Sequence, residues 1–170
     1  MATPKTVITL GEYFRTSYPD GDCEYVDGEV IAKPMPPFDH GKLQARLVEI
    51  FYEFKKQGHR FHTAVEVRSQ TQPGRIRLPD LSVYLIEPAD PVPSDPPLVA
   101  AEILSPDDRA SYFLEKLREY RQWGAAHIWV IDPAKQTLQE FVSQGLIDVS
   151  AFDLPEFGLR VTPQDLFESK

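Results

Sequence analysis

The sequence predicts an α/β domain, a mixed β-sheet flanked by helices, and three observations carry that prediction. First, Leu43, Leu47, Ile50, Phe51 and Phe54 recur at three- and four-residue steps between Phe38 and Lys56, the period of one helix face. Second, three strand-like runs follow, at residues 61–69, 76–86 and 97–104. Third, a helical stretch closed by Gly124 leads into a short apolar strand from His127 to Ile131, ended by Asp132-Pro133. The core order is helix, strand, strand, strand, helix, strand. Short connections make the first three strands antiparallel neighbours, and the helix before the fourth permits a crossover and a parallel pairing.

The remaining elements follow in order. Thr9 and Glu12 have the spacing of a capping box, which starts a short helix ending near Thr16. Asp27-Gly28, between Cys23–Val26 and Glu29–Ala32, is a strong hairpin signal, and Pro34, Pro36 and Pro37 end that hairpin. The run 61–69 alternates Phe61, Thr63, Val65 and Val67 against more polar partners and reads as half-buried. The run 97–104 is apolar on both faces and reads as central. Five prolines between Glu87 and Pro97 give a stiff exposed loop. Ser105-Pro106-Asp107-Asp108 has the form of a helix start. The tail offers a hairpin, residues 137–142 against 146–152, and a last helix capped by Thr162.

At 170 residues the chain is read as one domain spanning residues 1–170, with room for a substantial core. Hydrophobic residues make up 42% and charged residues 26%, an ordinary soluble balance. A formal net charge of −8 argues against coating nucleic acid through a broad basic face, though it leaves room for a local basic groove. A single cysteine, Cys23, excludes an internal disulfide and suits a reducing, cytoplasmic setting. No apolar run approaches the length of a membrane span.

Two acids stand where a bland sequence would not place them. Asp80 follows Pro79 and opens the run Leu81-Ser82-Val83-Tyr84. Glu102 sits inside Val99-Ala100-Ala101-Glu102-Ile103-Leu104, where an ionised carboxylate is costly unless paired, protonated or on a metal. With the backbone carbonyl of Ile103 and waters, Asp80 and Glu102 form an oxygen set suited to Mg²⁺ or Mn²⁺. Lys116 shares a helix face with Tyr112, Tyr120 and Trp123, and its ammonium could polarise a water and offset charge on a phosphate. Glu24, beside the hairpin turn, could make an outer contact to the ion, and His40 could contact a phosphate or carry a proton. Lys116, Glu24 and His40 each also have a plain reading as a solvated or capping residue. His59, His62 and His127 lack metal-ligand spacing and read as structural. No phosphate-cradling glycine loop, zinc spacing or nucleophile elbow is present.

These pieces, in this order and spacing, resemble the PD-(D/E)XK nuclease superfamily, the restriction-endonuclease-like fold, and within it the Uma-type family of restriction endonucleases. The matching segments are Glu24 to Glu29, His40, Arg77 to Val83, Val99 to Pro106, Lys116 with Tyr120, and Ile128 to Pro133, so the resemblance spans about residues 9 to 168. It implies that Asp80 and Glu102 bind the metal. Leu104 stands where the superfamily's lysine ordinarily follows the second acid, and the resemblance points instead to Lys116 on the next helix. It also implies an acid shortly before that lysine, where this chain has Tyr112. The expected activity is metal-dependent endonuclease cleavage of DNA, with a homodimer as the expected assembly. A catalytically silent nuclease-fold scaffold is the alternative, favoured by the acidic charge and by Tyr112. Glycoside hydrolysis by two acids is a third reading, disfavoured by the nearby lysine.

Overall fold

The computed structural model describes residues 7–19, 21–106 and 108–168. Helix α1 (Leu10–Arg15) starts at the Thr9–Glu12 capping box, with both reciprocal bonds made. Strands β1 (Cys23–Val26) and β2 (Glu29–Ala32) form the predicted hairpin. Its turn residues Asp27 and Gly28 both take positive φ, 50° and 97°, as a tight hairpin turn demands. Helix α2 (Phe38–Lys56) buries His40, Leu43, Leu47 and Phe51 along one face. Then come β3 (His62–Ala64), β4 (Ser69–Gln72), β5 (Arg75–Arg77), β6 (Leu81–Tyr84) and β7 (Val99–Ile103). Helix α3 (Ala110–Trp123) crosses to β8 (His127–Asp132). The chain finishes with β9 (Thr137–Val142), β10 (Gly145–Val149), β11 (Phe152–Leu154), β12 (Leu159–Val161) and α4 (Pro163–Phe167).

The principal sheet has six strands in the order β10-β9-β8-β7-β6-β3. Within it β3, β6 and β7 are antiparallel neighbours and β7 pairs with β8 in parallel across α3, which is the α-β-β-β-α-β core the sequence predicts. All five residues of β7 are buried, as its central position requires. The two faces of β7 divide by parity. Val99, Ala101 and Ile103 join the core under α2, together with Trp129 and Ile131. Ala100 joins the core under α3, with Phe113, Leu117 and Tyr120. Strand alternation therefore turns Glu102, two residues after Ala100, toward α3. Trp129, fully buried, stacks on Phe152 at 4.4 Å and on Phe51 of α2 at 6.0 Å between ring centroids. A second sheet, β2-β1-β5-β4, packs around Tyr13, Tyr25, Ile76 and Leu78.

Four expectations are corrected. The run 61–69 is not one strand: β3 ends at Ala64 and β4 begins at Ser69 in the other sheet. Between them Glu66 adopts φ 55°, a conformation that breaks a strand, and Val65 is exposed rather than buried. The run 76–86 also divides, at Pro79, with β5 in the smaller sheet and β6 in the larger. Proline has no N–H to continue a ladder, and the N–H of Leu78 donates to the Glu24 side chain instead (3.2 Å). Ser105 does not cap α3; its N–H donates to Asp108 Oδ2 (2.7 Å), closing a turn, and the helix begins four residues later behind Arg109. Asp107 of that motif lies outside the described residues. In the tail, Phe152 leaves the hairpin to pair in β11-β12. The proline-rich loop is exposed along most of its length, as expected, and two bonds hold it: Pro93 O accepts from Gln70 N–H (2.8 Å) and Ser94 O from the Trp123 indole (2.7 Å). Among the described residues no helix is long and apolar enough to cross a membrane.

Candidate active site

The division of residues 61–86 between two sheets creates the site. Residues 78–80 carry the chain from the smaller sheet into the larger, so Asp80 stands at the junction. Leu81 pairs with Ala101 across the β6–β7 ladder. Continuing that register by one residue sets Asp80 opposite Glu102, and side chains at opposed positions of an antiparallel pair share a face. The backbone N–H of Ile103 donates to Asp80 Oδ2 at 2.7 Å. Because the N–H and C=O of a strand residue lie on the same edge, the Ile103 carbonyl is turned to the Asp80 side as well.

Helix α3 delivers Lys116. Its Nζ donates to Glu102 Oε2 (2.9 Å) and reaches Glu24 Oε1 of β1 (3.4 Å). One turn further on, Tyr120 OH donates to Glu102 Oε1 (2.5 Å). One turn earlier, Tyr112 OH donates to Glu24 Oε2. Residues 112, 116 and 120 thus act as a stripe at four-residue spacing, each meeting a carboxylate. Trp123, the fourth residue predicted on this face, turns away to the proline-rich loop. His40 of α2 lies 3.2 Å from Asp80 Oδ2 through Nε2. The structure joins Glu24, Lys116 and Glu102 in one hydrogen-bonded group and Asp80 with His40 in a second, set beside the first by the β6–β7 register. All five are buried: Glu24 is 1% exposed, His40 5%, Asp80 1%, Glu102 3% and Lys116 6%.

Burial and neighbouring charge set the protonation states. Burial pushes the Glu102 carboxyl up to about 7; the Lys116 ammonium opposes this and the Asp80 charge adds to it. Burial also acts to raise Asp80, but the His40 hydrogen bond and the Lys33 charge outweigh it and hold Asp80 well below its usual range. Glu24 is likewise held low against burial, by Lys116 and Arg77. Burial would lower Lys116, yet Glu102 and Glu24 raise it, so it stays an ammonium. Two neighbouring carboxylates with values driven apart are the arrangement expected of a site with separate roles for its acids.

Several contributors carry no clear sequence signal. Lys33, just after the hairpin, donates to Asp80 Oδ1 at 2.7 Å. Gln44 donates to the Asp80 carbonyl oxygen (2.7 Å), and Glu66 faces Lys33 at 3.3 Å. Arg77, with no exposed surface, bonds Glu24 Oε2 (3.0 Å) through one arm and Glu119 Oε2 (2.7 Å) through another. Glu119 could have been found: it lies three residues after Lys116, beside it on the helix. The three histidines read as structural lie elsewhere; His127 bridges Glu140 and Glu156, and His59 stacks on Phe54.

The acids of this network also set an expected acid limit. Glu24 and Glu119 both titrate below their ordinary value of 4.5 when folded. The unfolded chain binds more protons than the folded one as pH falls below 4.5, so the stability they contribute is complete above that pH and lost beneath it. Urea midpoints measured by circular dichroism should fall steadily on acidification below about pH 4.5, and a flat midpoint down to about pH 3 would contradict the ion pairing.

Among the described residues no three histidine, cysteine or carboxylate side chains gather to cage an ion. Mg²⁺ does not need that; one or two carboxylates with waters and a substrate phosphate are its usual holding set. Asp80, Glu102 and a backbone carbonyl fit that requirement.

No curated protein matches the chain. A solved structure described as a "putative nuclease belonging to DUF820" from Anabaena variabilis ATCC 29413 superposes with a TM-score of 0.80 and 26% identity, covering 94% of this chain and 97% of that one. Both the fold and the order of its parts are therefore those of a nuclease-like protein. The model of the Uma2 family, described as "Putative restriction endonuclease", matches residues 10–168, and the chain belongs to that family.

Proposed function

We propose that this protein is a divalent-metal-dependent endonuclease that hydrolyses phosphodiester bonds in DNA. The observation that carries this is the convergence of Asp80, Glu102 and Lys116 at the end of the β6–β7 pair, with Lys116 within 2.9 Å of Glu102. The family description and the nuclease named for the similar structure support the same chemistry.

Asp80, Glu102 and the Ile103 carbonyl would hold Mg²⁺ or Mn²⁺. When bound, that ion supplies a water of lowered pKa and a positive charge against the phosphate. Lys116 orients the attacking water and offsets the charge that grows on the phosphoryl oxygens. Glu24, pinned by Tyr112 and Arg77, keeps the Lys116 ammonium aimed at Glu102. The acid expected ahead of the lysine is thus supplied from β1, which explains how Tyr112 can stand in its place. His40 fixes the Asp80 carboxylate and is the side chain assigned to contact a phosphate or carry a proton. A homodimer would bring two such sites to the two strands of a duplex.

The test is cleavage of supercoiled, linear and single-stranded DNA with Mn²⁺. The parent should cut at least one form, and Asp80→Asn should reduce the rate by about 100-fold or more, as loss of a charge that holds a catalytic ion does. Equal residual cutting by both would count against the site. The scaffold reading has one observation in its favour, that each acid already has an internal cationic partner. It predicts no cutting and no ion binding at millimolar metal.

A further inference from the structure

Lys33, which follows the β1–β2 hairpin, stands against Asp80. We propose that Lys33 is a resident cation that occupies the ion's side of Asp80 in the metal-free protein and moves to Glu66 when a divalent ion binds. This rests on the metal-dependent reading above and adds a positioning residue to it.

Four observations support the exchange. Lys33 Nζ donates to Asp80 Oδ1 at 2.7 Å, the one oxygen of that carboxylate not already taken by His40 and the Ile103 N–H. A dication on Asp80 and an ammonium at that distance repel each other, so the two compete for the same oxygen. A second acceptor pair is already within reach: Glu66 Oε2 at 3.3 Å and the Leu78 carbonyl at 3.1 Å. Little movement is then needed, because both acceptors already lie against the ammonium. Finally, Glu66 is held for the purpose. Its φ of 55° is unfavourable for a side chain of that size, and it is kept there by its N–H to Pro79 O (3.1 Å) and by Gln44 on Oε1 (3.3 Å). Gln44 also holds the Asp80 backbone, so one side chain sets the spacing between the two acceptors.

The same cation explains why the metal-free site folds. With Lys33 on Asp80 and Lys116 on Glu102, each prospective ion ligand is neutralised by its own lysine. Lys116 is clamped between two acids, whereas Lys33 has an alternative acceptor and can leave.

The experiment is calorimetric titration of Mn²⁺ into the DNA-free protein, for the parent, Lys33→Met, Glu66→Gln and the double variant. Folding is checked by circular dichroism. Lys33→Met removes the competitor and should bind Mn²⁺ about tenfold more tightly, while its metal-free melting temperature falls. Glu66→Gln removes the refuge and should bind more weakly. In the double variant the Glu66 change should lose its effect, because no ammonium remains to be relocated. Unchanged or weaker binding by Lys33→Met overturns the proposal. So does an undiminished Glu66→Gln effect in the double variant, which would mark simple long-range attraction. If neither the parent nor Lys33→Met binds Mn²⁺, the metal-dependent reading falls and the exchange falls with it.

Discussion

Lys116→Met is expected to lower DNA cleavage by about 100- to 1000-fold, the scale seen when a charge-stabilising donor is removed from a closed site. The main effect should fall on the rate at saturating DNA and Mn²⁺, and Mn²⁺ affinity should change only through the proton on Glu102. Lys116 touches Glu102 Oε2 and Glu24 Oε1, so methionine leaves both carboxylates without their ammonium. Burial already pushes Glu102 up to about 7, with Lys116 opposing, so loss of the lysine drives it higher and Glu102 holds its proton at neutral pH in the metal-free protein. A divalent cation then has to displace that proton. The variant's Mn²⁺ binding should therefore strengthen as pH rises, more steeply than the parent's. Single-turnover cleavage and Mn²⁺ titration over pH 6 to 8.5 (roughly the range in which such a carboxyl titrates) separate the two effects. Cleavage within about threefold of the parent at every pH would remove Lys116 from the chemistry.

How much of this was legible in the sequence depended on which physical signal each residue left. The long helix at residues 38–56 and the hairpin about Asp27-Gly28 follow from local patterns, and both lie where the periodicity and the turn residues put them. Glu102 was legible because an acid in a fully apolar strand contradicts its surroundings. Lys116 was legible only beside Tyr112 and Tyr120, as part of a stripe. The division of residues 61–86 between two sheets was not. It depends on Glu66 adopting positive φ and on Leu78 giving its N–H to Glu24, more than fifty residues away. Neither leaves a mark on local composition. Lys33 was missed for the same reason: a lysine before a run of prolines looks solvated until the sheet junction brings Asp80 to it. Arg77 lies within an alternating strand, where a polar residue ordinarily faces water; here it faces α3 and two acids.

That buried arginine supports the largest expected effect on stability. Arg77 has no exposed surface, and its guanidinium joins β5 to two other elements: β1 through Glu24, and α3 through Glu119 and the Tyr112 hydroxyl (2.5 Å). The guanidinium also lies over the Tyr112 ring, with its carbon 5.0 Å from the centroid. Glu119 is further held by Thr71 and Arg75 of the same small sheet. Through this set the smaller sheet is fastened to α3, and the same fastening aims Glu24 at Lys116. Arg77→Met keeps most of the volume but strands two carboxylates, so urea denaturation at neutral pH should show a loss of about 3–5 kcal/mol, the range for breaking a buried pair by removing one partner. Arg77→Lys should recover little, because a single ammonium cannot span Glu24 and Glu119 in the way the planar fork does. Arg77→Met combined with Glu119→Leu removes one of the stranded acids and should recover part of the loss, since a buried pair replaced by apolar side chains is far less costly than a broken one. Strict additivity of the two changes would show that Arg77 and Glu119 do not act as a pair, and a loss below about 1 kcal/mol for Arg77→Met would show that apolar contacts alone hold the small sheet against α3.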